Sequence, residues 1–356
     1  MDFGASEERL LLIPFAPGIG DMVMMEPLVR AVVNLAPGWH VTMVAKEYAA
    51  DLLPGGDYEL VSPSHFIKEA PSRLRALHRW VPQRFIAWAT EPAMNLDLGP
   101  FERTINLFLA WESQIPFGSW WTPSWPLQTG VQHTVDILAD YLSKELGGDI
   151  PMSARVPHLQ PFPEAAAWAD DYLRTLNVRD RPLAALVVSS ENQLKWWDVR
   201  KWSSLNQELA DAGWRTLLVA PREHLHAQEV YDACWTKPTW PRVDTRQLMA
   251  LLSRSSVVVG VDTGPLHAAS ALGTPWVGIF GATNPGLIGP YDRSRGVALV
   301  ARFPKSPSCK QCWLAFKSRE DRCLTLPATG CTTMVPVSEV LSAVEKVSSG
   351  TPIASI

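Results

Sequence analysis

SVVVGVDTGPLHAASALGTPWVGIFGATNPGLIGPY, residues Ser256–Tyr291, is the stretch whose reading decides the fold. Val257 to Val261 is a valine run broken only by Gly260, the pattern of a strand covered on both faces in a parallel sheet. Asp262-Thr263-Gly264-Pro265 then turns the backbone. Asp and Thr can accept the N–H groups left over at a helix start, and Pro is tolerated in a first turn because its missing donor would have had no partner there. The spacing predicts a short helix over Leu266–Leu272, closed by Gly273, where a positive φ costs little. Trp276–Phe280 reads as the next buried strand, and Gly281–Pro290 as a loop rich in Gly and Pro.

A strand, a tight turn and a helix N-terminus together favour an anion, because unpaired N–H groups and the helix dipole both attract negative charge. In an open parallel sheet such a site lies beyond the carboxyl ends of the strands, and a phosphate is the expected ligand. A capped turn with no ligand satisfies the same four residues.

Outward from this stretch, strand and helix patterns repeat. Leu183–Val188 is a strand followed by Ser189, Ser190, Lys195 and Trp196, then a helix over Val199–Ala212. The two hydroxyls can donate to diphosphate oxygens and the lysine can meet the charge of a leaving group; Lys201 is its rival. Arg215–Ala220 reads as a strand, after which Glu223 or Glu229 either holds ribose hydroxyls or stands on the surface, and Thr245–Leu252 reads as a helix. Repeated strand–helix units of this kind predict right-handed crossovers and a parallel sheet.

The first half opens the same way. Leu10–Phe15 is a strand, Ala16–Asp21 a turn, and Met22–Leu35 a helix. Gly18 and Gly20 allow a ligand close to the backbone, although Val23 stands where a dinucleotide fingerprint needs its third glycine. Asp21 at the helix entrance suits an N-cap. Trp39–Ala45 reads as a second strand, Lys46–Leu53 as its helix, and Val131–Leu146 as another helix. Ser72–Phe85 carries Arg73, Arg75, His78, Arg79 and Arg84, either a solvated face or a surface for a phosphorylated acceptor or a membrane periphery. Gly118–Pro126, with three tryptophans, reads as a loop. Ile150–Pro163, with four prolines, is the candidate linker, and Glu164–Leu176 is the helix that opens the second half.

Asp-Thr-Gly-Pro-Leu-His from Asp262, Ala-Leu-Gly-Thr-Pro from Ala271, Gly-Ile-Phe-Gly-Ala-Thr-Asn-Pro from Gly278 and the closing Gly-Pro-Tyr together resemble the donor-site signature of glycosyltransferase family 9. That family contains the heptosyltransferases of the lipopolysaccharide inner core and their relatives. The resemblance implies an α/β GT-B fold, two Rossmann-like parallel-sheet domains facing a cleft, and an inverting transfer from a nucleotide sugar, usually ADP-heptose. It implies an acceptor-binding domain over residues 1–155, a nucleotide-sugar domain over 156–335, and a helix and tail over 336–356. Family members carry a Gly-Asp pair after the first strand whose Asp is the catalytic base, a role that falls on Asp21, and a hydroxyl and Lys-Trp after the strand matched by Leu183–Val188. The donor would then meet Gly18, Gly20, Ser189, Ser190, Lys195, Glu223, Asp262, Thr263, Gly264, Pro265 and His267. Cations and dipoles would replace a catalytic metal. An enzyme of the same fold using another nucleotide sugar, or a non-catalytic nucleotide-sugar-binding subunit, fits the same residues. The acceptor is left open between lipopolysaccharide core, a protein and a small natural product.

The 356 residues suffice for two cores, and 47% hydrophobic with 19% charged residues describes a globular chain. A formal net charge of −4 argues against nucleic acid as a partner. The N-terminus lacks the pattern of a secretory signal and no apolar run reaches the length of a membrane span, so a cytoplasmic location is expected. Of five cysteines, Cys309, Cys312, Cys323 and Cys331 fall close together. They suit a structural zinc or iron site with four protein ligands, as in the protein-modifying heptosyltransferases that the cluster resembles, or else thiols without metal.

Overall fold

The computed structural model describes residues 8–14, 16, 18–53, 58–62, 101–107, 110, 132–176, 181–301 and 330–349. The chain divides into two compact units, Met1–Phe117 with Thr134–Pro157, and Gly118–His133 with His158–Ile356.

In the first unit the strands β1 (Arg9–Ile13), β2 (His40–Val44), β3 (Tyr58–Val61) and β4 (Arg103–Asn106) form a parallel sheet in the order β3-β2-β1-β4. Leu10 to Ile13 are all buried, as an apolar run in a central strand must be. The edge strands β3 and β4 escape the sequence pattern because each has four residues with polar or half-exposed positions among them. Helix α1 (Ile19–Leu35) buries Leu28, Val29 and Val32, and packs against α2 (Thr134–Leu146). The expected helix over Lys46–Leu53 is a 3-10 turn, Glu47–Asp51.

The proline-rich stretch after α2 is held rather than slack. Arg155 bonds Asp140 at 2.7 Å, Asp136 at 3.3 Å and the Ile150 carbonyl at 2.9 Å, while Arg30 donates to the carbonyls of Ala154 at 3.5 Å and Val156 at 3.2 Å. Burial opposes the charge on Arg155, and the two aspartates outweigh it, raising the guanidinium above its ordinary value. The units part directly afterwards, between Pro157 and His158.

The second unit holds β5 (Leu183–Val187), β6 (Arg215–Val219), β7 (Val257–Val261), β8 (Trp276–Phe280) and β9 (Gly296–Val300), all parallel, in the order β6-β5-β7-β8-β9. Among its described residues the helices are α3 (Pro163–Thr175), α4 (Val199–Asp211), α5 (Leu225–Ala233), α6 (Thr245–Ser253), α7 (Gly264–Ala271), α8 (Pro285–Ile288) and α9 (Val337–Ser348). The core gathers Val257, Val259, Val261, Ile279, Trp197 and Trp202, the two indoles meeting edge to face at 4.9 Å, and α9 closes it against β7, β8 and β9. A Cβ on Gly260 would stand 2.8 Å from the Val187 Cβ, so glycine lets β7 lie against β5. Gly273 takes φ 71° after α7, the left-handed conformation expected of it. The loop over Gly281–Pro290 contains one helical turn, α8, started by the Asn284 side chain accepting the Gly286 N–H at 2.8 Å.

Candidate active site

Both sheets have a point where the strand order reverses. In the second, β6 lies to one side of β5 and β7 to the other, so the crevice for a ligand opens beyond the carboxyl ends of β5 and β7. Ser189, Ser190 and Lys195 follow the first of these strands, and Asp262, Thr263 and Gly264 the second. In the first sheet β1 lies between β2 and β4, and Gly18, Gly20 and Asp21 follow β1. Fold topology thus brings these sequence-predicted groups to the switch point of each unit.

In the second unit the turn after β7 is built on an ion pair that spacing alone does not reveal. Asp262 is only 3% exposed, and its Oδ2 lies 2.8 Å from the Lys195 Nζ, which also donates to the Asp262 carbonyl at 3.2 Å. Its Oδ1 faces the His267 Nε2 at 3.5 Å. Burial alone would push this carboxyl upward; the Lys195 ammonium and then His267 overcome it and hold the group well below the usual carboxylate range. Of the two residues able to cap the helix, Asp262 is therefore turned to Lys195 instead. The helix cap is Thr263, and α7 begins at Gly264, two residues earlier than the apolar spacing predicted. The Thr263 side chain does not cap its own helix. Pro265 brings no donor, so the hydroxyl of Thr263 and the amide of Gly264 are the groups at this helix end suited to an anion. His267 lies buried one turn on, its Nδ1 without a hydrogen-bond partner among the described residues.

Ser189 and Ser190 are half-buried, and the Ser190 hydroxyl accepts the Asn192 N–H at 3.3 Å. Asn192 in turn accepts the Leu194 N–H at 2.9 Å, winding the chain into the single 3-10 turn that delivers Lys195 to Asp262. The rival Lys201 is committed elsewhere: its ammonium donates to the carbonyls of Thr333 and Val335, fixing the turn before α9. Glu223 is exposed and pairs with Arg242 at 2.7 Å on the surface, and Glu229 lies on the outer side of α5, 3.7 Å from His226. Neither carboxylate joins the Lys195–Asp262 cluster.

In the first unit α1 starts at Ile19, not at Met22, which puts Gly20 and Asp21 inside its first turn. Gly18 is the extended residue before the helix, and the Asp21 carboxylate reaches back to accept its N–H at 2.8 Å. This is the return half of a capping box, made from the third helical position. The bond also fixes Asp21 on the half-buried rim of the turn, with its charge favoured by the helix dipole.

Cys331 is buried beneath Gly281, in a 3-10 turn over Cys331–Met334, whereas Cys309, Cys312 and Cys323 lie outside the described residues. Among the described residues there is no group of three or more potential metal-ligating side chains. The basic segment Ser72–Phe85 and the tryptophan-rich Gly118–Pro126 also fall outside them. No helix among the described residues is long and apolar enough to cross a membrane.

The family model described as glycosyltransferase family 9 (heptosyltransferase) matches residues 109–315. Lipopolysaccharide heptosyltransferase 1 of Salmonella typhimurium is 28% identical over 166 residues, 46% of this chain and 50% of the relative, so the chain spans about half the length of that curated relative. Among solved structures, a family 9 glycosyl transferase from Veillonella parvula matches with a TM-score of 0.68 at 16% identity, covering 98% of this chain and 99% of the other. An Escherichia coli heptosyltransferase solved with ADP-2-deoxy-2-fluoro heptose matches with a TM-score of 0.57 at 18% identity, covering 95% of this chain and 99% of the other. At such identities the two structures speak for a shared fold.

Proposed function

Because this chain belongs to glycosyltransferase family 9, the heptosyltransferase family, we propose that it transfers a sugar, heptose carried on ADP, to an acceptor hydroxyl. The observation that carries the reading is the Lys195 ammonium held 2.8 Å from buried Asp262 beside the start of α7, at the switch point of the second sheet. That arrangement offers a fixed cationic donor, two serine hydroxyls, a threonine hydroxyl and a helix N-terminus to a diphosphate. The ADP-sugar bound to the Escherichia coli relative supports the same donor class.

In the proposed reaction Asp21 takes the proton of the acceptor hydroxyl as its oxygen attacks the anomeric carbon. The bond from that carbon to the diphosphate breaks in the same displacement, so configuration inverts, and the electron pair leaves on ADP. Lys195, Thr263 and the first turn of α7 receive the growing charge. Asp262 neutralises much of the Lys195 charge, so the ammonium acts mainly as a donor aimed in advance, which needs little rearrangement as the charge develops.

The test supplies ADP-heptose with lipopolysaccharide core, a serine-bearing protein or a small hydroxylated natural product, and follows ADP release and the anomeric configuration of the product. Acceptor-dependent ADP release with inversion is expected. Binding of ADP-heptose without turnover on any acceptor would sink the transferase reading in favour of a nucleotide-sugar-binding subunit.

A further inference from the structure

Beside Ser190 the second unit carries an aromatic cluster that the proposed chemistry does not use. The Ser190 carbonyl accepts two side-chain donors, the Trp196 indole N–H and the His224 Nε2, the latter at 3.3 Å. A carbonyl can only accept, so His224 carries its proton on Nε2. The other side of the Trp196 ring is packed as tightly. His226 stacks on it at 4.4 Å with the planes 15° apart, while His224 meets it edge-on at 5.4 Å. His226 is buried, and burial favours its neutral form against the opposing pull of Glu229 3.7 Å away. Three elements converge here: the end of β5, the turn after Lys195, and the first residues of α5.

We propose that Trp196 and His224, the indole backed by the His226 ring, form a clamp on the Ser190 carbonyl that sets the position of the Ser189–Ser190 hydroxyls toward the donor diphosphate. These are positioning residues, acting through the backbone of the turn. A peptide carbonyl drawn between two donors cannot rotate, and the peptide plane it belongs to fixes where the preceding and following chain stand. The half-buried Trp196 is itself held by the His226 ring, so the clamp is rigid before any ligand arrives. This inference rests on the donor reading above and assigns it a specificity element, one directed at the phosphates and not at the nucleoside.

The test measures ADP and adenosine binding by calorimetry, with melting temperatures recorded for each protein. Trp196→Phe keeps a ring on His226 but loses the N–H, and His224→Leu removes the second donor. Each is expected to weaken ADP binding about tenfold, the scale of one well-made hydrogen bond, and to change adenosine binding less than twofold. His224→Gln, whose amide restores a donor near the Nε2 position, is expected to recover ADP affinity, and His226→Phe, which keeps the stack, to retain it. If wild type binds ADP and both donor-deleting variants bind it equally well, the clamp is overturned while the donor reading stands. Equal losses for ADP and adenosine also overturn the clamp, since they mark a general structural role. Wild type that binds no ADP overturns the donor reading itself, and the clamp with it.

Discussion

Asp262 is a buried anion whose stability depends on Lys195, and the pair behaves differently under substitution than a surface ion pair does. Replacing Lys195 by Met leaves the carboxylate with only the His267 ring beside it among the described side chains that pair with it, an uncompensated charge costing about 3–5 kcal/mol. Chemical denaturation at pH 7 should show that loss. Because the folded carboxyl sits below its unfolded value of about 3.9, its contribution is complete above that range and is lost as pH falls through the depressed folded value. Without the ammonium, burial pushes the carboxyl upward, so K195M regains a neutral Asp262 on acidification and its gap to wild type is expected to narrow as the pH falls. Calorimetry on folded K195M should show ADP affinity lower by about 10- to 100-fold, the range of a hydrogen bond to a charged group. At Asp21 the cap and the base make opposite forecasts. Asparagine can still accept the Gly18 N–H, so D21N should melt like wild type and bind ADP normally, yet transfer about 10²- to 10⁴-fold more slowly. Unchanged transfer by D21N would leave Asp21 a cap and nothing more.

At the scale of elements, the strand β7, its turn and helix α7 were legible as a unit because a valine run, a polar turn and Gly273 each carry a local signal. The start of α7 was misplaced for a tertiary reason: Asp262 faces inward to a lysine 67 positions away, so the cap passes to Thr263. No window of sequence contains that pairing, which exists only because β5 and β7 are neighbours in the sheet. The same adjacency makes Gly260 a test of packing. Gly260→Val would drive a branched side chain into Val187, and a loss of about 1–3 kcal/mol is expected from overpacking, read from urea midpoints. The clamp around Ser190 was equally hidden, since His224 and His226 reach it from the segment that follows β6, more than 30 residues on from Ser190. In the first unit the Gly-x-Gly-Asp turn gave its place but not its helix boundary, because glycine before a helix gives little sign of which residue begins it.

For the whole molecule, the repeated strand–helix pattern and the 356-residue length pointed to two parallel-sheet units, and the structure has two. Strand order was not legible: nothing in the chain announces that β7 crosses to the far side of β5. Yet that crossing makes the switch point, and every group assigned to the diphosphate stands beside it. ADP at one hundred times its dissociation constant should stabilise the protein by about 2.7 kcal/mol, a shift of roughly 5–10 °C in melting temperature. Hydrogen exchange should slow at the ends of β5 and β7 more than in the first unit. The anchored stretch before Pro157 also matters to anyone who wants to splice the gene. A few flexible residues inserted between Pro157 and His158 fall just past the grip of Arg30 and Arg155, and the product should express and melt normally. The same insertion between Ala154 and Arg155 parts the two carbonyls that Arg30 holds and draws Arg155 from its aspartates and the Ile150 carbonyl, so one seam accepts new cargo while its near neighbour rejects it.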